Sequence, residues 1–172
     1  MPRDPVRDSV HVAVSGGGDA DAEACRLAEE VGRELARLGA VVVTGGLGGA
    51  MAAACRGAKA GGGTTVGILP SDDRADANPW VDLAVPTGLG EGRNALVVRA
   101  ADAVVAVAGE FGTLSEIALA LRLGKPVIGL GTWELARDGR PVQAIAAAAT
   151  AAEAAAAAVS LASERRARPT GS

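Results

Sequence analysis

Four glycine-rich turns are the features of this sequence most suited to chemistry. They comprise residues 16–18, 45–49 and 88–92 and the pair Gly109 and Gly112. Glycine removes side-chain bulk, so a ligand can approach the backbone, and the free N–H groups at the start of a following helix attract anions. Phosphate is the anion most often bound in this way. The turns therefore predict a binding site for a phosphate-bearing small molecule.

Short apolar runs place each of these turns directly after a strand. The sequence predicts strands at 10–14, 41–43, 65–69, 83–85, 103–107 and 127–130, and helices at 21–38, 50–60, 94–101, 114–123 and 143–163. Strands that alternate with helices predict an α/β fold, a doubly wound (Rossmann-like) parallel sheet of about six or seven strands with helices on both faces. In such a sheet the strand-to-helix turns meet at the carboxyl edge, where ligands bind.

The length and composition indicate one domain and exclude some partners. We expect a flexible N-terminus over residues 1–9, a single domain over 10–163 and a C-terminal tail over 164–172. A net charge of −3 and only three aromatic residues (one Phe, two Trp) give no basis for binding nucleic acid or a membrane surface. The N-terminus is polar, and Cys25 and Cys55 fall among small apolar residues of predicted helices. Free buried thiols and a cytoplasmic location are therefore expected.

Two familiar phosphate-binding motifs are missing from the turns. A dinucleotide site needs Gly-x-Gly-x-x-Gly after the first strand and an acid at the end of the second. The first turn instead reads Ser15-Gly-Gly-Gly-Asp19, and the second strand ends at Thr44. A P-loop needs a lysine after its glycines, and the only lysines, Lys59 and Lys125, lie elsewhere. The ligand is therefore not predicted to be NAD or a P-loop nucleotide.

The turn after the fifth strand carries a resemblance to a known family. It reads Ala108-Gly-Glu-Phe-Gly-Thr-Leu-Ser-Glu116, with Arg93 upstream. This stretch and the stretch 41–70 resemble the Lonely Guy (LOG) family and its short bacterial relatives, whose signature is P-G-G-x-G-T-x-x-E with an upstream arginine. LOG proteins hydrolyse the N-glycosidic bond of nucleoside 5′-monophosphates, and molybdenum-cofactor carrier proteins share their fold family.

The resemblance implies which residues form the site. Arg93 and Glu116 would be the catalytic pair. The phosphate- or nucleotide-binding residues would be Gly16, Gly17, Gly45, Gly46, Gly48, Gly49, Met51, Gly109, Gly112 and Thr113. Cleavage of an N-glycosidic bond builds positive charge on the ribose, which a carboxylate stabilises, while an arginine binds phosphate and keeps that carboxylate ionised. The two side chains would adjoin if the fourth and fifth strands lie on the same side of the sheet's switch point.

A purely structural interpretation of the same residues stays open. Thr113-Leu-Ser-Glu116 also matches a capping box, in which the glutamate would bond a backbone N–H at the start of a helix. Two departures from the signature matter as well. Ala108 replaces the proline, which we expect only to relax the turn, and Glu110 replaces the second glycine. A carboxylate beside a phosphate-binding turn would repel a dianion unless it points away or is paired.

Other reactive residues are not predicted to take part in the site. His11, the single histidine, lies in the first strand, and no metal ligands are suitably spaced, so neither a metal nor a cofactor is expected. Relatives of the LOG family were once described as lysine decarboxylases, but neither lysine is placed to form a Schiff base with pyridoxal phosphate. Trp80 and Trp133 follow strands and would border the site or pack at a subunit contact.

Two functions of different classes remain. One is a LOG-like, nucleotide-binding hydrolase acting on the N-glycosidic bond of nucleoside 5′-monophosphates. The alternative is a non-catalytic carrier for a phosphorylated ligand such as the molybdenum cofactor. The resemblance also implies a homodimer or a higher homo-oligomer, since alanine-rich helices permit close helix contacts.

Overall fold

A seven-stranded parallel sheet forms the centre of the protein in the computed structural model, which describes residues 8–167. The strands are β1 (His11–Ser15), β2 (Val41–Thr44), β3 (Thr65–Leu69), β4 (Leu83–Pro86), β5 (Ala103–Val107), β6 (Val127–Leu130) and β9 (Ala146–Ala147), in the order β4-β3-β2-β1-β5-β6-β9. A separate antiparallel hairpin pairs β7 (Ala136–Arg137) with β8 (Arg140–Pro141). The terminal segments predicted at 1–9 and 164–172 lie largely outside the described residues, because the description leaves out residues 1–7 and 168–172.

Five helices cover the two faces of the sheet. They are α1 (Ala22–Arg37), α2 (Gly49–Ala60), α3 (Asn94–Ala100), α4 (Phe111–Arg122) and α5 (Ala151–Ala167). Helices α1, α2 and α5 pack on one face, and α3 and α4 pack on the other. Within residues 8–167 no helix has the length and apolarity that a membrane crossing requires. The predicted α/β class is confirmed.

The strands form where β-branched residues can be buried on both sides. Along β1, Val12 and Val14 lie in the core beneath α1, α2 and α5, whereas Ala13 lies in the core beneath α3 and α4. All three side chains are fully buried. A strand covered on both faces has no solvent side, so its sequence is apolar throughout instead of alternating.

The strand order places the switch point between β1 and β5. From β1 the chain adds β2, β3 and β4 on one side, and then returns to add β5 on the other side of β1. Connections that leave two adjacent strands in opposite directions open a crevice at their carboxyl ends. Strands β4 and β5 therefore lie on opposite sides of the switch point, and the condition under which Arg93 and Glu116 were expected to meet is not fulfilled.

The C-terminal helix begins later than its alanine content predicts. Helix α5 starts at Ala151 instead of residue 143 and runs to Ala167. A capping box starts it: the Glu153 N–H donates to the Thr150 hydroxyl at 3.2 Å, and the Ala149 N–H donates to the Glu153 carboxylate at 2.9 Å. The residues before it form β9 on the edge of β6. Helix propensity is a weak local preference, which strand pairing and the cap override here.

Helices α1 and α2 touch at their backbones through two glycines. A Cβ added at Gly32 would collide with the Ala54 carbonyl oxygen, and one added at Gly57 would collide with the Glu29 carbonyl oxygen. Both glycines are buried. This close contact fixes the position of α2, which begins at the glycine-rich turn after β2.

Replacing Gly57 with alanine is expected to destabilise the protein. Alanine favours a helix over glycine by about 1 kcal/mol, but the collision with a carbonyl oxygen should cost more, for a net loss of about 2 kcal/mol. Urea unfolding followed by circular dichroism measures the change. Gly112→Ala is the matched control, because an added Cβ in this second helical glycine meets nothing within 4 Å. Equal effects of the two variants would contradict the proposed contact.

Candidate functional site

A cavity of about 730 Å³ opens at the switch point. The turns after β1, β2 and β5 line it, together with the segment before α3. Nine of the twelve predicted site residues lie in its wall: Gly16, Gly17, Gly45, Met51, Arg93, Gly109, Gly112, Thr113 and Glu116. The structure thus places most of the residues predicted from the sequence around one cavity.

The remaining three predicted glycines lie outside the cavity wall. A Cβ at Gly46 would lie 2.6 Å from the Leu69 side chain, so Gly46 packs against β3. A Cβ at Gly49 would collide with the carbonyl oxygens of Gly17 and Gly18, so this glycine lets the β1 and β2 turns cross. Gly48 faces open space. Two of the three are therefore explained by packing alone.

Arg93 and Glu116 meet in the wall of the cavity although their strands are far apart in the sheet. The Arg93 Nη1 atom lies 3.7 Å from the Glu116 Oε1 atom, and the two residues are only 9% and 7% exposed. The segment after β4 brings Arg93 back across the sheet edge, since the Thr87 N–H donates to the Leu69 carbonyl at 3.2 Å and the Gly90 N–H donates to the Pro70 carbonyl at 2.9 Å. Arg93 therefore reaches Glu116 through the course of the loop after β4, and not because their strands are neighbours in the sheet.

Hydrogen bonds and a glycine fix the Arg93 guanidinium. It donates to the Asn94 side-chain oxygen, and the Asn94 amide donates to the Ser115 hydroxyl at 3.3 Å. A Cβ at Gly45 would lie 2.5 Å from the Arg93 Nη2 atom, so only glycine leaves room for the guanidinium. Within residues 8–167, the buried Nε of Arg93 has no hydrogen-bond partner. Asn94 and Gly45 thus hold the Arg93 guanidinium in place.

Burial shifts both members of the pair toward their neutral forms. It raises the pKa of Glu116, while the Ser15 hydroxyl and the Arg93 charge act in the opposite direction. Burial also lowers the pKa of Arg93, against the attraction of Glu116 and Glu91. A guanidinium starts from so high a pKa that Arg93 still carries its charge at neutral pH. The cavity therefore presents one buried cation beside a carboxylate that takes up a proton more readily than usual.

The capping-box interpretation of Thr113 and Glu116 is wrong. Helix α4 begins at Phe111, and its N-cap is Glu110, which makes no side-chain cap bond. Thr113 and Glu116 therefore lie inside the helix, beyond the residues that a capping box would occupy. Glu116 instead faces Arg93 across the cavity wall.

The turn after β5 has a backbone that a proline could not adopt. Ala108 has φ 46° and Gly109 has φ 97°, whereas the proline ring holds φ near about −65°. The Ala108 N–H donates to the Leu130 carbonyl at 3.1 Å, and the Thr132 hydroxyl donates to the Ala108 carbonyl, so both sides of this residue are tied to the end of β6. The expectation that alanine merely relaxes a proline turn is wrong: the turn takes another path.

Restoring the signature proline should damage the protein. Ala108→Pro would force φ out of the left-handed region and remove the N–H that bonds Leu130, at an expected cost of about 3 kcal/mol. Ala108→Gly, which accepts a positive φ freely, should keep or raise stability by up to about 1 kcal/mol. Thermal unfolding of the two variants measures the difference. A proline variant as stable as the parent protein would refute the left-handed turn.

Several polar residues of the cavity wall were not singled out in the sequence. Ser15, Asp19, Glu91 and Asn94 line the cavity beside the predicted glycines. Ser15 and Asp19 flank the first glycine turn, and Glu91 and Asn94 flank Arg93, so position next to a predicted turn was the available signal. Among residues 8–167 no group of three or more His, Cys, Asp or Glu side chains is placed to hold a metal ion.

The two lysines have structural roles away from the cavity, and His11 also lies away from it. The Lys125 ammonium donates to the Val98 carbonyl at 2.8 Å and the Arg99 carbonyl at 3.0 Å, which caps α3. Lys59 pairs with Asp82 at 2.8 Å. His11 is at the amino end of β1, opposite to the cavity. None of the three lies in the cavity wall.

The remaining aromatic and thiol residues pack outside the cavity wall. Trp80 lies under Arg56, with 5.4 Å from the guanidinium carbon to the ring centre, and Trp133 contacts Phe111 at 5.6 Å between ring centres. Cys25 and Cys55 are both free thiols. Their placement gives none of them a direct part in the site.

The pKa of Glu116 predicts a specific pH dependence of stability. A raised pKa means that the folded protein holds this proton more tightly than the unfolded chain, so its stabilising contribution is complete below about pH 4.3 and is lost as the pH rises through the folded pKa. The stability of the parent protein relative to Glu116→Gln should therefore fall between pH 4 and pH 8. Urea unfolding over this range measures it, with exposed Glu134→Gln as control. If the stability of the parent protein relative to Glu116→Gln instead rises with pH, the Arg93 charge affects the pKa of Glu116 more than burial does.

A parallel doubly wound sheet with a cavity at its switch point defines the Rossmann-like class of α/β proteins. The chain belongs to the SLOG cluster4 family, whose sequence profile matches residues 9–163. An uncharacterized protein of Archaeoglobus fulgidus is 42% identical over 121 residues, which are 70% of this chain and 80% of that protein.

Two solved structures show the same fold over almost the whole chain. The Moco (molybdenum cofactor) carrier protein of Chlamydomonas reinhardtii is 35% identical, with a TM-score of 0.79 over 91% of this chain and 99% of the other. The molybdenum cofactor binding protein of Rippkaea orientalis is 34% identical, with a TM-score of 0.74 over 83% of this chain and 91% of the other. The carrier-type resemblance therefore extends beyond the motifs to the full fold.

Proposed function

We propose that this protein binds a phosphorylated small molecule in the switch-point cavity and carries it without turnover, as a carrier for the molybdenum cofactor would. The observation that carries the proposal is the cavity itself: the turns after three strands and the buried Arg93 surround one space of about 730 Å³. Such a volume accommodates a cofactor-sized ligand. The similarity to two proteins named for binding this cofactor supports the same choice.

The phosphate end of the ligand fits the side of the cavity that holds Arg93. The guanidinium is fixed by Asn94, and the early residues of α4, Gly112 and Thr113, lie in the same wall. A helix N-terminus and a preorganised arginine both favour an anion. Because Arg93 is already in position, binding need not order a flexible side chain, which lowers the cost of association.

Two features of the structure weigh against hydrolysis. Glu116 is buried, and its pKa is raised, so it is a weaker anion for stabilising positive charge on a sugar. The turn at Ala108 also departs from the backbone that the signature proline requires. Hydrolysis of a nucleoside 5′-monophosphate is the second candidate function, and the meeting of Arg93 with Glu116 in the cavity wall is the observation that favours it.

Cofactor binding is tested directly with matched glycine variants. The full chain is mixed with molybdenum cofactor released from a molybdoenzyme and passed over a gel-filtration column, and bound molybdenum and pterin fluorescence are measured. The parent protein should retain both. Gly112→Ala, which adds a methyl group to the cavity wall without a clash, should lower retention by about tenfold. Gly48→Ala, also in open space but outside the wall, should retain the cofactor.

The same preparations distinguish the carrier from the hydrolase. They are incubated with AMP and with a cytokinin ribotide, and free base is measured by chromatography. A carrier retains the cofactor and releases no base. Base release that disappears in Glu116→Gln would replace the carrier proposal with the hydrolase, and loss of both cofactor retention and base release in the parent protein would refute both functions.

A further inference from the structure

Charge attraction, and not a hydrogen bond, joins Arg93 to Glu116. The Arg93 Nη1 atom and the Glu116 Oε1 atom lie 3.7 Å apart, whereas a charge-assisted hydrogen bond between such atoms spans roughly 2.7–2.9 Å. The Nη1 atom donates its hydrogen bond to the Asn94 side chain instead. Glu116 therefore balances the charge of Arg93 without occupying this N–H group.

Both side chains belong to the wall of the cavity in which an anionic ligand would bind. Arg93 is the only cationic residue among the described residues of that wall. The two side chains are 11% and 9% exposed, so water screens their charges only weakly. A phosphate in the cavity and the Glu116 carboxylate therefore compete for the same positive charge.

One hydroxyl and one charge act on Glu116 from the elements packed around it. At the end of β1 the Ser15 hydroxyl favours the ionised carboxylate, and the segment before α3 contributes the Arg93 charge. The other charged residue of α4 is Arg122 in its last turn, and α3 contributes only Arg99, likewise exposed near its end. Strands β5 and β6, on which α4 packs, have no charged residue.

The other acids of the cavity wall have no part in the pKa of Glu116. They are Asp19, Asp21, Glu91 and Glu110. Glu91 acts on Arg93, and Asp21 accepts the Ala24 N–H at 2.8 Å. Burial, Ser15 and Arg93 therefore set the pKa of Glu116, and of these three the Arg93 charge is the one that a bound anion offsets.

We propose that Glu116 takes up a proton when an anionic ligand binds beside Arg93, so that the affinity for a ligand of constant charge rises as the pH falls. The proton comes from the solvent and ends on a carboxylate oxygen of Glu116, and no bond of the ligand forms or breaks. This proton uptake rests on the proposed phosphate-binding function and adds the regulation of the same site by pH.

The charges around Glu116 give the direction of this effect. In the free protein, burial raises the pKa of Glu116 and the Arg93 charge lowers it. A bound phosphate offsets the Arg93 charge and brings negative charge closer, and both changes favour the neutral carboxyl group. Because the pKa is then higher in the complex than in the free protein, the affinity falls as the pH rises through these two pKa values.

Binding of ribose 5-phosphate to the full chain from about pH 5 to pH 8 tests the proposal. Isothermal titration calorimetry compares the parent protein with Glu116→Gln, in which this position stays neutral at every pH. The phosphate group titrates alike with both proteins, so the ratio of their dissociation constants isolates Glu116. The ratio of parent to variant should be near one at pH 5 and rise to about tenfold at pH 8, as a pKa difference of about one unit gives. Glu134→Gln, exposed and outside the cavity wall, should follow the parent protein.

A second variant moves the titration of Glu116 without removing it. Ser15→Ala deletes the hydroxyl that favours the ionised carboxylate, so Glu116 keeps its proton to a higher pH. The pH at which the affinity for ribose 5-phosphate falls should therefore move upward relative to the parent protein. Circular dichroism shows whether each variant is folded, and Ser15→Ala provides the test if Glu116→Gln is not.

The possible results separate the proton uptake from the phosphate site. A ratio that stays constant with pH, weaker binding by Glu116→Gln than by the parent protein at pH 8, or an unmoved Ser15→Ala profile would overturn the proton uptake. Ribose 5-phosphate still binds the parent protein in these cases, so the proposed function stands. Absence of binding to the parent protein at every pH would count against the phosphate site and against the proton uptake with it.

Discussion

The buried contact between Arg93 and Glu116 is the interaction on which the site depends. Two ionisable side chains are removed from water at the edge of the sheet, and each opposes part of the cost of burying the other. Removal of one partner from such a pair typically costs about 3–5 kcal/mol, because an uncompensated charge is left behind. Gly45 leaves room for the guanidinium, and Asn94 fixes its orientation. The pair lies in the wall of the cavity, among the turns that surround it.

The glycines of the turns divide into those that the fold requires and those that the cavity requires. A side chain at Gly16 would meet the Ala50 methyl group at 2.6 Å, and one at Gly109 would collide with Thr113. Gly112, in contrast, has free space around it and borders the cavity. A glycine-rich turn is therefore not in itself a sign of ligand binding. A glycine indicates a ligand site when the space beside its Cα opens into the cavity and holds no protein atoms, as at Gly112.

The turn after β5, in the wall of the cavity, holds a residue other than glycine in the left-handed region. Ala108 adopts a left-handed conformation that costs a non-glycine residue about 1–2 kcal/mol. Bonds to Leu130 and Thr132 hold it there, and the next residues bring Glu110 to the wall of the cavity. Residues held in such strained backbone conformations by their surroundings occur most often at functional sites. The change from the hydrolase signature thus alters both backbone and charge.

The sequence by itself determined the class of fold and most strand and helix positions, because buried strands and glycine turns are encoded locally. Its resemblance to a known motif named nine residues of the cavity wall. It did not determine the start of α5, where strand pairing and the Thr150 cap overrode alanine propensity. Only the tertiary structure decided that Arg93 reaches Glu116, since β4 lies four places from β5 in the sheet and a loop path closes the distance. It also decided which glycines face the cavity. Such contacts depend on the path of the chain between distant segments, and no local pattern of residue types records that path.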